Sequence, residues 1–281
     1  MDLIHEPQVV CGKSGAKDLH IEYIYHRKFE GHTRPVICKI MGGGWMHGGM
    51  DEMVPTAIEP DSEPGRYLRS GIMLANLRHI PVMEAPFPAN RDDINTGLDW
   101  LYANCDRLNI RKDGIAIDGG SSGAHLATLV AALRAKGPYE PLRAIILRAP
   151  PIDIASWFTQ MHDNRIFNKC VRMLLGGTPQ EKPDVCREAT PLTHINPAMP
   201  PFLIFHGDKD EAVPPVHTAL LEDALKKKGV PVTRVVVENG GHDLGPADGA
   251  TSSPTLQEIS DMKFAFLKKH MPGIVDDQAW Q

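Results

Sequence analysis

The sequence lacks closely spaced cysteines, long apolar runs, a basic surplus and internal repeats. Five cysteines (Cys11, Cys38, Cys105, Cys170 and Cys186) are scattered with no C-x-x-C pair, so no disulfide framework is written into the chain. Cys170 and Cys186 share one irregular region and could pair, but an odd number leaves at least one thiol free. The start, Met1-Asp-Leu-Ile-His-Glu-Pro7, has neither the basic opening nor the apolar run of a signal peptide, and no segment reaches membrane-spanning length. A soluble cytoplasmic protein is expected. A formal net charge of -5 gives no electrostatic reason to bind nucleic acid or an anionic membrane. The lysines at 226–228 and 268–269 close helical segments, where cations complement the dipole. His47, His194, His206 and His217 show no H-E-x-x-H or other metal spacing, so neither metal nor cofactor is expected.

What is present is 281 residues, 42% of them hydrophobic, enough for one large core. Residues 19–27 alternate apolar and polar, which predicts one or two antiparallel edge strands. Buried-type strand runs follow at 35–41, 72–77, 115–117, 142–149, 201–205 and 232–237. Helical segments lie between them at 92–108, 122–136 and 215–228, with a last one at 254–270. Such alternation predicts an α/β fold, a mostly parallel central sheet with helices on both faces. The rhythm breaks between about 150 and 197, where Trp157, Phe158 and Phe167 sit among short helical pieces. We read one domain, 1–281, with a small cap insertion there.

Chemistry concentrates at three strand ends. Ile115-Ala-Ile117 runs into Gly119-Gly-Ser-Ser-Gly123 and then an Ala/Leu-rich helix. This is the G-x-S-x-G turn that lifts a serine, here Ser121, above a sheet and aims the next N–H, that of Ser122, at a developing oxyanion. A serine hydroxyl needs a base, and the base an orienting acid. His242 follows Gly240-Gly241 after one later strand, and His206-Gly-Asp-Lys-Asp210 follows another. Asp208 and Asp210 compete as the acid; Asp210, further round the loop, is preferred, with Asp208 forming the turn. His125, on the helix after Ser121, reads as a packed structural residue. Gly42-Gly-Gly-Trp-Met-His-Gly-Gly49 fails the G-x-G-x-x-G spacing and reads instead as the other half of an oxyanion hole. Cys11-Gly-Lys-Ser14 has no glycine at position 7 and is rejected as a phosphate loop.

Met41-Gly-Gly-Gly-Trp45, Gly119 to Ala127, Pro201 to Asp210 and Gly240-Gly-His242 together resemble the α/β-hydrolase superfamily. Within it they resemble the small serine esterases related to acetylesterases, feruloyl esterases and hormone-sensitive-lipase-like carboxylesterases. The resemblance implies Ser121 as nucleophile, His242 as base, Asp210 as acid, and backbone N–H groups near Gly43, Gly44 and Ser122 as oxyanion donors. The family has a histidine before the three glycines; here Met41 stands there, and His47 is the residue placed to replace the lost bracing. The cap with Trp157, and Trp45, implies a confined acyl pocket. The expected activity is cofactor-free hydrolysis of short-chain carboxylic esters, with acetylated carbohydrate implied by resemblance alone. The alternatives are an amidase or arylformamidase, and a non-catalytic binding protein on the same scaffold. A small-molecule ester is the expected partner, and the sequence leaves monomer and homo-oligomer alike open.

Overall fold

The computed structural model describes residues 1–48, 53, 59, 62–247 and 249–275, so Gly49 of the glycine loop lies outside the described residues. Strands β1 (Leu3–Ser14) and β2 (Lys17–His26) form an antiparallel hairpin, and β2 pairs antiparallel with β4 (Met73–Leu77). From β4 onward the sheet is parallel, through β3 (Arg34–Ile40), β5 (Ile110–Gly120), β6 (Ala144–Arg148), β7 (Phe202–Gly207) and β8 (Val232–Val237), in the order β1-β2-β4-β3-β5-β6-β7-β8.

The full length of β1 is not visible as alternation, because register shifts between Glu6 and Val9 and between Val10 and Gly12 break the two-residue period. Cys11 to Ser14 are part of this strand.

Successive residues of the parallel strands feed two separate cores. Val36, Cys38, Ile115, Ile117, Ile145 and Leu147 pack to one side. There they meet α2 (Ala89–Ala103), α4 (Ser122–Lys136) and α8 (Val216–Lys227). Ile37, Ala116, Ile146 and Leu203 pack to the other, against α1 (Glu63–Arg69) and α9 (Leu256–His270). Each such valine, leucine or isoleucine contributes roughly 1.5–3 kcal/mol by leaving water, which is why these strands read as continuous apolar runs. The helix expected at 92–108 is divided into α2 and α3 (Cys105–Leu108). At the break, the Asn104 amide donates to the Trp100 carbonyl (2.8 Å), competing with the helix's own donors.

Between β6 and β7 the chain forms α5 (Ile154–Gln160), α6 (Arg165–Leu175), α7 (Pro183–Ala189) and a 3-10 turn, Pro191–His194. Asp153 caps α5 through the Ser156 N–H, and Asn164 caps α6 through the N–H groups of Ile166 and Phe167. Helix α4 is buried almost all round, as a helix between a sheet and a second layer must be. The five cysteines are unpaired thiols, Cys170 and Cys186 included. Among the described residues no helix is long and apolar enough to cross a membrane.

Candidate active site

The end of β5 makes a turn that leaves Ser121 at φ 53°, ψ -122°, a strained conformation held from both sides. Its N–H donates to the Arg148 carbonyl (2.7 Å), and its own carbonyl accepts from His125 N–H (3.0 Å). The turn requires glycine at 123, since a Cβ there would lie 2.1 Å from the Ile40 carbonyl oxygen on β3. Helix α4 starts at Ser122, whose N–H is among those that helix geometry leaves without an intrahelical acceptor.

The loops after β7 and β8 are tied to each other. Asp208 N–H donates to the Val237 carbonyl (3.0 Å) and Lys209 N–H to the Gly240 carbonyl (2.9 Å). His242 is thereby placed with Nε2 3.0 Å from Ser121 Oγ and Nδ1 2.7 Å from Asp210 Oδ2. A carboxylate accepts only, so the ring proton sits on Nδ1 and Nε2 is the acceptor facing the serine hydroxyl. The structure thus brings Ser121, His242 and Asp210 together, and it is Asp210, not Asp208, that meets the imidazole.

The Asp210 side chain is fully shielded from solvent. Burial alone would push its carboxyl up. The N–H groups of His206, His242 and Val213 outweigh that and hold it well below the usual carboxylate range. Its Oδ1 accepts from the N–H groups of Ala212 (2.8 Å) and Val213 (2.9 Å). A cleft of about 600 Å³ opens beside His242, lined by residues 208–212, Gly241 and Ala247.

The glycine loop lies against the serine. A Cβ on Gly42 would stand 3.0 Å from Ser121 Cβ and 2.9 Å from the Gly120 carbonyl oxygen, so only glycine allows this approach. Gly43 and Gly44 follow directly. The exposed His47 ring rests against Gly43. The loop's bond to the nucleophile helix is Trp45 Nε1–H to His125 Nδ1 (3.2 Å). His125 Nε2–H in turn donates to the Ala189 carbonyl at the end of α7 (2.7 Å). Burial pushes the His125 pKa down to about 4, which keeps the ring neutral and Nδ1 free to accept.

The expectation that Trp45 and Trp157 line a substrate pocket needs correction. They are 1% and 3% exposed, stacked edge to face 5.9 Å apart, and the Trp157 N–H is used on the Ala212 carbonyl (2.9 Å). Both indoles fill the layer between glycine loop and α5, leaving no surface for a ligand.

Two residues at the site escaped the sequence reading. Arg148 Nη1 donates to the His242 carbonyl (2.9 Å), so one residue holds the serine turn by its backbone and the histidine loop by its side chain. The signal was a charged residue ending the apolar run Ile145-Ile-Leu. His206 has no metal spacing in the sequence; it is wholly buried, with Nε2 3.1 Å from Asp210 Oδ2.

Comparison with known proteins places this geometry. Residues 23–225 match the family described as BD-FAE. Esterase LipC of Mycobacterium tuberculosis is 24% identical over 268 residues, covering 92% of this chain and 64% of LipC. Esterase LipQ of the same organism is 25% identical over 243 residues, covering 82% of this chain and 55% of LipQ. The chain therefore spans only part of the length of these relatives. Among solved structures, esterase LipW from Mycobacterium marinum superposes with a TM-score of 0.73 at 20% identity, covering 95% of this chain and 81% of that one. A truncated carbohydrate esterase from gut microbiota superposes with a TM-score of 0.71 at 20% identity, covering 94% and 96%.

Proposed function

Because the chain belongs to the BD-FAE family and has the α/β-hydrolase fold, we propose that it is a serine carboxylesterase acting on short-chain esters. The observation that carries this is the hydrogen-bonded series Ser121 Oγ, His242, Asp210 at the ends of three strands. We read the chain as one domain whose segment 150–197 is the cap.

In this reading Ser121 Oγ attacks the acyl carbonyl while its proton passes to His242 Nε2. Asp210 holds the imidazole in the needed tautomer and balances the imidazolium charge. The carbonyl oxygen, now negative, rests on the N–H groups of Gly43, Gly44 and Ser122; one such donor is worth about 3 kcal/mol of barrier. His242 returns the proton to the leaving alcohol, and water, deprotonated by the same base, releases the acid from Ser121.

We favour short acyl groups: Trp157, packed between Trp45 and Phe167, leaves that part of the cap layer filled. Acetylated carbohydrate is the substrate class we favour, in line with the carbohydrate esterase among the similar structures. Five unpaired thiols suit a reducing compartment, and we assign the enzyme to the cytoplasm.

The test is hydrolysis of 4-nitrophenyl acetate together with labelling by an alkyl phosphonate. Phosphonate on Ser121 and no turnover by Ser121→Ala are expected, and turnover retained by that variant refutes the assignment.

A further inference from the structure

His206, near the end of β7, is buried completely, yet it is a histidine in a strand of otherwise apolar residues. Its Nε2 lies 2.8 Å from the Val213 carbonyl oxygen and 3.1 Å from Asp210 Oδ2. Both neighbours can only accept, so Nε2 must carry a proton and share it between them. Nδ1 is 3.0 Å from Thr218 Oγ1, a hydroxyl that either donates to it or accepts from it while donating to the Pro215 carbonyl 3.1 Å away. The Nε2–H is therefore fixed whether the ring is neutral or charged.

The oxygen it meets is the same Oδ2 that takes Nδ1–H of His242 at 2.7 Å. The other oxygen is occupied by two backbone donors, and solvent does not reach the side chain. Two imidazoles thus draw on one oxygen of one buried carboxylate. We propose that His206 is a positioning residue of the triad: by competing for Oδ2 it sets how strongly Asp210 holds the imidazolium of His242, and hence the pH at which His242 becomes a working base. This rests on the triad reading above.

The titratable groups facing His206 are Asp210 and, from α8, His217, with Asp153 beside His217 and His242 beyond Asp210. Burial drives the His217 pKa down to about 4, so that ring stays neutral where the enzyme would work. The sign of the effect follows directly. Without the His206 donor, Oδ2 serves His242 alone and protonated His242 is favoured. If His206 carries charge, losing that charge acts in the same direction.

The experiment compares pH profiles of kcat/KM for 4-nitrophenyl acetate in wild type, His206→Leu and His206→Gln, with NMR titration of the His242 ring in each. In His206→Leu the acid-limb midpoint should rise by about half a pH unit or more, since loss of one hydrogen bond to a buried carboxylate has effects of this size. His206→Gln keeps an N–H near the position of Nε2 and should stay with wild type. An unmoved midpoint in folded His206→Leu overturns the proposal, as does His206→Gln shifting equally far. If His206→Leu does not fold, nitrogen-15 NMR of the wild-type protein decides: a bare Nε2 on His206 overturns the proposal, and a protonated Nε2 supports it. A wild type that hydrolyses no ester sinks the triad reading instead, and the NMR midpoints still decide the role of His206.

Discussion

On the histidine side of Ser121, Asp210 takes two backbone and two imidazole donors, and Arg148 holds the His242 carbonyl at 2.9 Å. On the glycine-loop side the ties are of another kind. Met46 N–H closes a turn on the Gly43 carbonyl (3.1 Å), Val82 N–H reaches the Trp45 carbonyl (3.0 Å), and Trp45 leans on His125. The contrast follows from what each half must do. A hydroxyl and an imidazole pass a proton only when the ring is held within tenths of an ångström, so the carboxylate that orients it has its acceptors filled in advance. The loop must keep N–H groups available for an oxygen that arrives with the substrate, so it is held by its carbonyls and by side-chain packing.

Breaking the histidine side should have the largest consequences. Ser121→Ala is expected to lower kcat by about 10⁶-fold, and Asp210→Asn by about 10⁴-fold through the wrong His242 tautomer. Asp208→Asn should stay within about tenfold, because Asp208 contributes a backbone turn rather than a carboxylate contact to His242. Steady-state rates on 4-nitrophenyl acetate check the ranking, and equal losses at 208 and 210 would dissolve the distinction.

On the glycine side, His125→Leu removes the acceptor of the Trp45 N–H and should lower kcat by about 10² with KM little changed, the pattern of a loosened oxyanion site. A rise in KM alone would mean that the loop serves binding instead. Arg148→Met should cost about tenfold in kcat, since only one bond to the histidine loop is lost.

A separate effect, not on rate, is on stability. His125 and His217 are wholly buried, and burial depresses both from 6.5 to about 4. The unfolded chain therefore binds protons that the folded one refuses. Stability is complete above about pH 6.5 and declines as pH falls toward 4, by on the order of 2 kcal/mol per histidine near pH 5. Denaturant unfolding at pH 7 and pH 5 measures it, and His125→Gln should lose part of the dependence.

The parts legible in the sequence were those where backbone geometry forces residue type. The glycines around Ser121, before His242 and through residues 42–44 mark tight approaches, and apolar runs mark strands buried on both faces. Where side chains choose among partners, the sequence offered only a preference, as for Asp210 over Asp208 from its place in the loop, or nothing at all. Asp208 and Asp210 differ only in which one reaches the imidazole. Trp45 and Trp157 carry the same composition signal whether they face a ligand or each other. Arg148 and His206 act across strands that are distant in sequence, so no local pattern announces them.

The helical stretch between β6 and β7 has a practical consequence. These two strands are adjacent and parallel, so the chain leaves and rejoins the sheet at neighbouring points. Residues 150–197 could then be exchanged for a foreign segment to redirect selectivity, with the proton-transfer apparatus left untouched. The graft has two obligations beside the site: it must present a carbonyl where Ala189 does, or the ring of residue 125 loses its anchor, and an indole where Trp157 does, or Trp45 and the Ala212 carbonyl lose their partner.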